Sequence, residues 1–189
     1  KHSMRVTIGV IGKNEQHEND VVAGGTMQAA EDVGRLVAEK GGVIVTGGRF
    51  GVMEAASRGA KAADGLTIGF LPAMDKATAN DYVDVIFPTG LGRARNLLTA
   101  RSCDALIMIG GSCGTLNELT IAYAEARPVV ILRGSGGWAD RIEQVMHKGK
   151  YIDERETVEI DFADSAEEAV SIAFERATDT SRTATPDRP

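Results

Sequence analysis

The stretch ALIMIGGSCGTLNELTIAYAEARPVVIL, residues 105–132, decides the fold class of this chain. It opens with an apolar run at 105–109, passes through a pair of glycines, and closes with a second apolar run at 129–132. Between the glycines and Pro128, apolar residues recur at the spacing of one helix face. This order predicts a buried strand, a tight turn, an amphipathic helix and another buried strand.

Short apolar runs of the same kind recur through the preceding part of the chain, at 6–11, 43–45, 66–70 and 83–87. Segments with helical spacing lie between runs, such as the one at 27–37 before Gly41-Gly42. Strands that are apolar on both faces and alternate with helices form parallel sheets covered on both sides. We therefore predict an α/β protein with a Rossmann-like, doubly wound, mainly parallel sheet flanked by helices, joined by right-handed crossovers.

The length of 189 residues fits one domain, which we expect to span residues 1–177. Near its end, Ser165-Ala-Glu-Glu168 matches a capping box and predicts the start of a last helix that ends near Ala177. Residues 178–189 are polar and lack apolar periodicity. Because such a segment buries little apolar surface, we predict a disordered tail.

The charge balance excludes several classes of partner. Lys and Arg number 21 against 27 Asp and Glu, so the formal net charge is −6, and the pI is about 5.1. A chain of this charge has no general attraction for nucleic acid or anionic membranes. No apolar run approaches the ~20 residues of a membrane-spanning helix, and no charged leader precedes a hydrophobic segment. We therefore expect a cytoplasmic protein with neither nucleic acid nor membrane as partner.

Three glycine-rich turns follow predicted strands, at 9–12, 47–51 and 110–115. Open α/β sheets bind ligands beyond the carboxyl ends of their strands, so these turns are the candidate site. No G-x-G-x-x-G follows the first strand, and no G-x-x-x-x-G-K-[ST] occurs. A glycine pair before a helix can hold a phosphate on backbone N–H groups and the positive helix end. The second and third turns thus predict an anion site for a monophosphate, unless the glycines serve only tight turns.

Charged residues near these turns have two interpretations each. Thr115-Leu-Asn-Glu118 matches a capping box, in which Glu118 would return to the backbone of Thr115 instead of facing a ligand. Arg93, Arg95 and Arg101 lie between the fourth and fifth predicted strands. Arg95 and Arg101 are too far apart round a helix to form one cluster, so we expect them to contact different partners. An isolated helix arginine is more often solvated or paired with a surface carboxylate.

Taken together, these residues resemble the Lonely Guy family, long mislabelled as putative lysine decarboxylases. The resemblance spans roughly residues 6–132. It is carried by the order and spacing of Gly47-Gly48-Arg-Phe-Gly51-Val-Met53, then Arg95, Arg101 and Asp104, then Gly111-Ser-Cys-Gly114-Thr115-Leu-Asn-Glu118. It implies a Rossmann-like fold and cleavage of the N-glycosidic bond of nucleoside 5′-monophosphates, which releases a free base and ribose 5-phosphate.

Carried over by position, the resemblance assigns catalysis to Arg95 and Glu118. It assigns phosphate and nucleotide binding to a larger set, namely Gly47, Gly48, Gly51, Met53, Arg101, Gly110, Gly111, Ser112, Gly114 and Thr115. A carboxylate can stabilise oxocarbenium character at the sugar and position water, and Arg95 can hold the phosphate or a ribose oxygen. Nothing in the sequence resembles a Schiff-base lysine or a pyridoxal phosphate site, so lysine decarboxylation is not expected.

Two departures from the family pattern open an alternative. The residues Gly110-Gly111-Ser112 stand where the family's phosphate turn usually begins with Pro-Gly-Gly, and Arg95 is followed by Asn96 instead of lysine. Both are similar to the sister branch that includes molybdenum cofactor carrier proteins, which store and transfer a pterin phosphate. The leading interpretation is a phosphoribohydrolase, and the alternatives are a carrier without turnover and a nucleotide-sensing module.

The predicted partners follow from these alternatives. A hydrolase of this kind requires no cofactor, whereas the carrier would bind molybdenum cofactor as its ligand. In each case the partner is a nucleotide-like small molecule, and the resemblance implies a homodimer or homotetramer.

Other residues with chemical potential are interpreted more simply. His2, His17 and His147 are scattered without ligand spacing, so no metal site is predicted. Cys113 lies in the phosphate turn and is interpreted as a spacer. Trp138 follows Gly134-Ser-Gly-Gly137 and is expected to anchor a loop by packing, near the mouth of the pocket.

Overall fold

The structure is a computed structural model that describes residues 4–15 and 24–179. Its strands are β1 (Thr7–Gly12), β2 (Val43–Thr46), β3 (Leu66–Leu71), β4 (Val85–Pro88), β5 (Ala105–Ile109), β6 (Val129–Leu132) and β7 (Ile160–Ala163). Its helices are α1 (Gly24–Glu39), α2 (Val52–Ala62), α3 (Asn96–Arg101), α4 (Cys113–Ala124) and α5 (Ala166–Thr178). Short 3₁₀ helices lie at Lys76–Thr78, Gly92–Arg95 and Ile142–Val145.

The strands form one parallel sheet with the order β4-β3-β2-β1-β5-β6-β7. From β1 the chain builds outward to β4, and it then returns to the centre to build β5, β6 and β7 on the other side. The direction of winding therefore reverses between β1 and β5, which pair directly. The predicted doubly wound, Rossmann-like α/β fold is confirmed, and its switch point lies between these two strands.

Helices cover both faces of the sheet. One apolar cluster joins the sheet to α1, α2 and α5, and the other joins it to α4 and the end of α3. Helices α1 and α2 pack closely because Gly34 on α1 lies against the backbone of α2, and Gly59 on α2 lies against the backbone of α1. A Cβ would stand 1.9 Å from the Ala56 carbonyl oxygen at Gly34, and 1.8 Å from the Glu31 carbonyl oxygen at Gly59.

The last strand was not predicted. In β7, Asp161 and Phe162 are half-buried, and the strand is only four residues long. It lies at the edge of the sheet, paired with β6 alone. The alternation of Val158, Ile160 and Phe162 with polar residues was the available signal, but a short edge strand needs fewer apolar residues than a central one.

The predicted last helix begins as its capping box indicates. Ser165 is the N-cap, its hydroxyl oxygen accepts from the Glu168 backbone N–H at 3.1 Å, and the Glu168 carboxylate accepts from the backbone N–H of Asp164 at 2.8 Å. The helix extends through Thr178, one residue beyond the predicted end. Residues 180–189 of the predicted tail lie outside the described residues, and the single domain over 1–177 stays a prediction.

At the edge of the sheet formed by β4, several apolar side chains are exposed to solvent. Val85 and Phe87 on β4 are exposed, as are Leu91 and Leu97 in the segment that follows. The Phe87 ring stacks on that of Phe70 from β3, with 5.2 Å between the ring centroids. These exposed residues are where the predicted homo-oligomer can be tested. Among the helices described, none is both long and apolar enough to cross a membrane.

Candidate functional site

Loops that follow β1, β2 and β5 meet at the switch point and border a cleft of about 1030 Å³, here named the Arg95 cleft. Its walls include Asn14 from the loop after β1, Arg49 from the glycine turn after β2, and residues 112–114 after β5. Arg95 lines it from the 3₁₀ helix Gly92–Arg95. The cleft therefore lies at the sheet edge where doubly wound proteins bind ligands.

Two buried charged side chains, the predicted catalytic residues, meet beside this cleft. Arg95 Nη1 donates to Glu118 Oε1 at 3.3 Å, and the two side chains are 11% and 8% exposed. Arg95 immediately precedes α3, and Glu118 lies in the second turn of α4. Arg95 Nε is buried and has no acceptor among the described residues. A buried donor without an acceptor is unfavourable, which is typical of a site completed by a ligand or a water.

Burial sets the protonation of this pair. It raises the pKa of the Glu118 carboxyl to about 7, and the positive charge of Arg95 opposes the rise. Burial also lowers the pKa of Arg95, an effect opposed by Glu118 and increased by the charge of Arg49. The guanidinium stays protonated because its ordinary pKa is so high. Glu118 can therefore change its charge near neutral pH, as a general base or acid must.

Gly47 gives Arg95 the space to reach Glu118. The guanidinium lies directly against the backbone of Gly47. A Cβ there would stand 2.3 Å from Arg95 Nη1, 2.4 Å from Nη2 and 2.5 Å from Cζ. Any side chain at this position would displace the guanidinium. The structure thus provides a steric reason for glycine at one of the residues assigned to nucleotide binding.

The rest of the turn after β2 is held against the loop after β1. Gly48 and Gly51 have φ angles of 70° and 67°, in the left-handed region that favours glycine. A Cβ at Gly51 would stand 2.5 Å from the Lys13 carbonyl oxygen, which accepts from the Val52 backbone N–H at 3.1 Å. Met53, in the first turn of α2, is buried and lines the Arg95 cleft.

The turn after β5 is held by a loop that follows β6. Gly110 and Gly111 have φ angles of 63° and 110°. The Gly110 backbone N–H donates to Ser135 Oγ at 2.8 Å, and the Gly111 carbonyl oxygen accepts from the Trp138 backbone N–H at 3.0 Å. These bonds fix the backbone just before α4. The predicted loop at Gly134-Ser-Gly-Gly137 thus supports the glycine turn after β5.

The N-terminus of α4 presents backbone donors to the cleft. The helix begins at Cys113 with Ser112 as N-cap, and its first turn is closed by the Leu116 N–H, which donates to the Ser112 carbonyl at 3.0 Å. Within the described part of the chain, no side chain caps this end. The N–H groups of the first three helical residues precede any intrahelical acceptor, so they are available to an anion. Ser112, Cys113 and Gly114 are exposed and line the cleft.

The capping-box alternative for Glu118 is wrong. Because α4 begins two residues before Thr115, Thr115 is the third helical residue instead of the N-cap. The carboxylate of Glu118 contacts Arg95 and not the Thr115 backbone. Thr115 itself is buried, with its side chain packed against Gly111, where a Cβ would stand 2.6 Å from Thr115 Cγ2.

Arg101 is a predicted site residue that the structure does not bring to the Arg95 cleft. α3 carries it away from Arg95 by ~9 Å at 1.5 Å per residue. Its Nε lies 3.3 Å from the Glu125 carboxylate, and its side chain is 56% exposed. Nearby, Asp104 contacts the first residue of β1, at the opposite edge of the sheet. Arg101 therefore forms a surface ion pair within this chain, and its assignment to nucleotide binding stays a prediction.

Sequence reasoning missed a second pair beside the first. Asn96 Nδ2 donates to Asn117 Oδ1 at 2.9 Å, and both residues line the cleft. The two pairs join the same two segments, since Asn96 follows Arg95 and Asn117 precedes Glu118. Arg49 was also missed; its Nη1 donates to the Thr78 carbonyl at 2.8 Å and ties the segment after β3 to the glycine turn. The sequence signal that could have identified Asn96, Asn117 and Arg49 was that each is next to a predicted site residue.

No group of three or more His, Cys, Asp or Glu residues that could hold a metal ion occurs within residues 4–15 and 24–179. His2 and His17 lie outside those ranges. Buried Cys103 and exposed Cys113 are both free thiols.

A doubly wound parallel sheet with a cleft and an uncapped helix end at its switch point defines a Rossmann-like α/β protein. The chain belongs to the SLOG cluster4 family (LDcluster4), whose sequence profile matches residues 5–170. Together with the relatives below, this match confirms the resemblance to the Lonely Guy superfamily.

Three curated relatives are similar in sequence. An uncharacterized protein of Archaeoglobus fulgidus is 44% identical over 126 residues, which is 67% of this chain and 79% of that protein. A cytokinin riboside 5′-monophosphate phosphoribohydrolase of Mycobacterium tuberculosis is 28% identical over 56% of this chain and 62% of its own. A probable enzyme of the same name from Oryza sativa subsp. japonica is 32% identical over 57% and 52%. The chain thus spans less than two thirds of either phosphoribohydrolase.

Solved structures match over nearly the whole length. The structural-genomics target TM1055 has a TM-score of 0.84 at 39% identity, covering 90% of this chain and 99% of that one. The molybdenum cofactor binding protein of Rippkaea orientalis has a TM-score of 0.77 at 33% identity, covering 92% and 98%. The molybdenum cofactor carrier protein of Chlamydomonas reinhardtii has a TM-score of 0.73 at 30% identity, covering 91% and 98%.

Proposed function

We propose that this protein binds a nucleoside 5′-monophosphate, or a similar phosphorylated heterocycle, in the Arg95 cleft and hydrolyses its N-glycosidic bond. The phosphate would lie on the backbone N–H groups at the N-terminus of α4 and against Arg95, and the sugar beside Glu118. The two distant relatives named as phosphoribohydrolases support this kind of reaction. The observation that carries the proposal is the buried Arg95–Glu118 pair next to an uncapped helix end.

The proposed chemistry uses Glu118 in its ionised form. The bond between C1′ and the base nitrogen breaks, the electron pair leaves with the base, and C1′ acquires oxocarbenium character. The Glu118 carboxylate stabilises that positive charge and accepts a proton from the water that adds to C1′. The base takes a proton from solvent, and ribose 5-phosphate remains. Arg95 holds Glu118 in place and keeps its carboxylate ionised.

The positioning follows from rigid elements. Glu118 lies on α4 itself, so a phosphate at the first turn of the helix and the carboxylate on the second turn have a fixed relation. Gly47 fixes the guanidinium of Arg95 from the other side. Holding the sugar between these points would supply the orientation that cleavage needs.

The test is release of ribose 5-phosphate from a panel of nucleoside 5′-monophosphates, with wild type and Glu118→Gln compared in single-turnover reactions. Glutamine preserves the shape of the side chain but cannot carry the negative charge. Release by wild type with loss in the variant supports the proposal. Equal release by both proteins, or none by either with any base, would contradict hydrolysis.

A carrier without turnover is the second candidate. It is favoured by the solved molybdenum cofactor proteins, which match over more than nine tenths of both chains, whereas the phosphoribohydrolases match over less. The neutral Asn96–Asn117 pair in the cleft wall also suits the uncharged amide edge of a pterin, because the Asn117 amide N–H groups can donate and the Asn96 side-chain oxygen can accept. A pterin phosphate retained through purification, without ribose 5-phosphate release, would support this candidate.

A further inference from the structure

A second cleft lies on the other side of the α4 N-terminus. Its volume is about 500 Å³, and we name it the Trp138 cleft. It shares Ser112 and Cys113 with the Arg95 cleft, so the helix end lies between the two. Its other walls come from Lys13, the loop at 134–137 and the segment that carries Trp138 and Arg141.

The lining of the Trp138 cleft is cationic. It includes Lys13 and Arg141 and, among the residues described, no carboxylate. The acidic neighbour Asp140 does not line the cleft; its two oxygens accept from the backbone N–H groups of Gly134 at 2.7 Å and Gly136 at 2.9 Å. Arg141 therefore brings positive charge to a cleft whose described lining holds no carboxylate, and this favours an anion.

Arg141 in particular is available to a ligand. Its backbone N–H donates to the Trp138 carbonyl at 3.1 Å, but its exposed side chain makes no hydrogen bond or ion pair with the described part of the protein. Other surface arginines, such as Arg133 and Arg155, are paired with carboxylates. An unpaired guanidinium at a cavity can bind a phosphate group through two parallel N–H donors.

The walls of the cleft are fixed relative to the helix end. Ser135 Oγ accepts from the Gly110 N–H and donates to the Leu132 carbonyl, and the Trp138 N–H bonds to the Gly111 carbonyl. Trp138 is half-buried against the core. The loop that carries the cationic wall is thus bonded to the very turn that precedes α4, so an anion on the helix end and one in this cleft would have a set separation.

We propose that the Trp138 cleft holds a second phosphoryl group, so that the ligand is an organic diphosphate. One phosphoryl group lies on the N-terminus of α4 and the next one against the Arg141 guanidinium, while the sugar occupies the Arg95 cleft. This inference rests on the proposed function, because it assumes a phosphate at the helix end. It changes the expected ligand from a nucleoside monophosphate to a nucleotide with a second phosphoryl group attached to the first.

The test uses inorganic phosphate and inorganic pyrophosphate as probes, since neither depends on the identity of the base. Calorimetric titration should show that wild type binds pyrophosphate more tightly than phosphate. Arg141→Ala should weaken pyrophosphate binding by about 10-fold or more, the effect of a charge-assisted hydrogen bond, and leave phosphate binding unchanged. Arg141→Lys keeps the charge but loses the paired donors, so its pyrophosphate affinity should lie between the two.

Arg155→Ala is the matched control. It removes the same charge from an exposed position away from the cleft, where Arg155 pairs with Asp153. It should keep the wild-type preference for pyrophosphate. If Arg155→Ala lowers the preference as much as Arg141→Ala, the effect is one of net charge and the inference fails. If phosphate binds and pyrophosphate binds no more tightly, the second subsite fails while the proposed function stands. If neither anion binds, both fail.

Discussion

Replacing Gly47 with alanine tests whether the position of the Arg95 guanidinium matters. The new Cβ would stand 2.3 to 2.5 Å from three guanidinium atoms, whereas ordinary contacts begin at 3.4 Å, so the guanidinium must move by about 1 Å. A displacement of that size in a catalytic site lowers turnover by about 100-fold. Because Gly47 does not have a positive φ, the alanine backbone itself is unstrained.

The same variant should fold normally. The group that must move is the far end of a flexible side chain, and replacing glycine by alanine at a compatible position stabilises the folded state by ~0.4–1 kcal/mol. We therefore expect a melting temperature close to wild type, together with loss of ribose 5-phosphate release. Weaker binding of 5′-monophosphates should accompany the loss, because Arg95 also contacts the ligand in the proposed complex.

Gly25→Ala is the control for this substitution. Gly25 lies in α1, has no positive φ, and has nothing within 4 Å of the position where a Cβ would stand. It should leave turnover and ligand affinity unchanged. Wild-type release by Gly47→Ala would refute the argument that the guanidinium acts from this position. Unfolding of Gly47→Ala would also refute it, since the clash would then fall on the backbone and not on a movable side chain.

Three further outcomes are expected. Arg95→Ala should weaken 5′-monophosphate binding by ~1.5–3 kcal/mol in calorimetric titrations but leave the unphosphorylated nucleoside unchanged; equal losses would contradict a phosphate contact. The pKa of Glu118 rises from its ordinary 4.5 to about 7 on folding, so the folded protein binds this proton more tightly and the free energy of unfolding falls between those pH values. Denaturant titrations at pH 5 and 8 should show Glu118→Gln losing that dependence, and wild-type turnover should rise through pH 7 as the carboxylate forms. Phe87→Asp, on exposed β4, should convert the predicted homo-oligomer to a monomer in light scattering, and a monomeric wild type would contradict that prediction.

The central strands could be predicted because burial on both faces leaves an unbroken apolar run. Residues 105–109 and 129–132 coincide with β5 and β6 as observed. β7 was not predicted because it is a short edge strand. Its half-buried Asp161 is paired with Arg176 on α5, a contact that the local apolar pattern does not indicate. Apolar pattern thus identifies the middle of the sheet better than its edges.

The candidate site could be predicted in its residues but not in its arrangement. Thr115 and Glu118 satisfy the capping-box pattern, and only the actual start of α4 at Cys113 decides against it. That start depends on the positive φ of Gly110 and Gly111 and on the bonds that Ser135 and Trp138 make to them. A sequence motif of a few residues cannot predict these hydrogen bonds, because their two partners lie more than twenty residues apart along the chain.

The two proposed functions, hydrolase and carrier, would differ in the charge that Glu118 carries when ligand is bound. A phosphate on the α4 N-terminus adds negative charge near the carboxyl, and like charges favour its protonated form. Burial acts in the same direction, and the positive charge of Arg95 opposes both. A protonated Glu118 can hold a sugar hydroxyl but cannot stabilise a cation at C1′ or take a proton from water, so that state corresponds to a carrier. Turnover therefore requires Arg95 to keep Glu118 ionised while phosphate is bound, which makes the 3.3 Å contact between them the point at which the two functions separate.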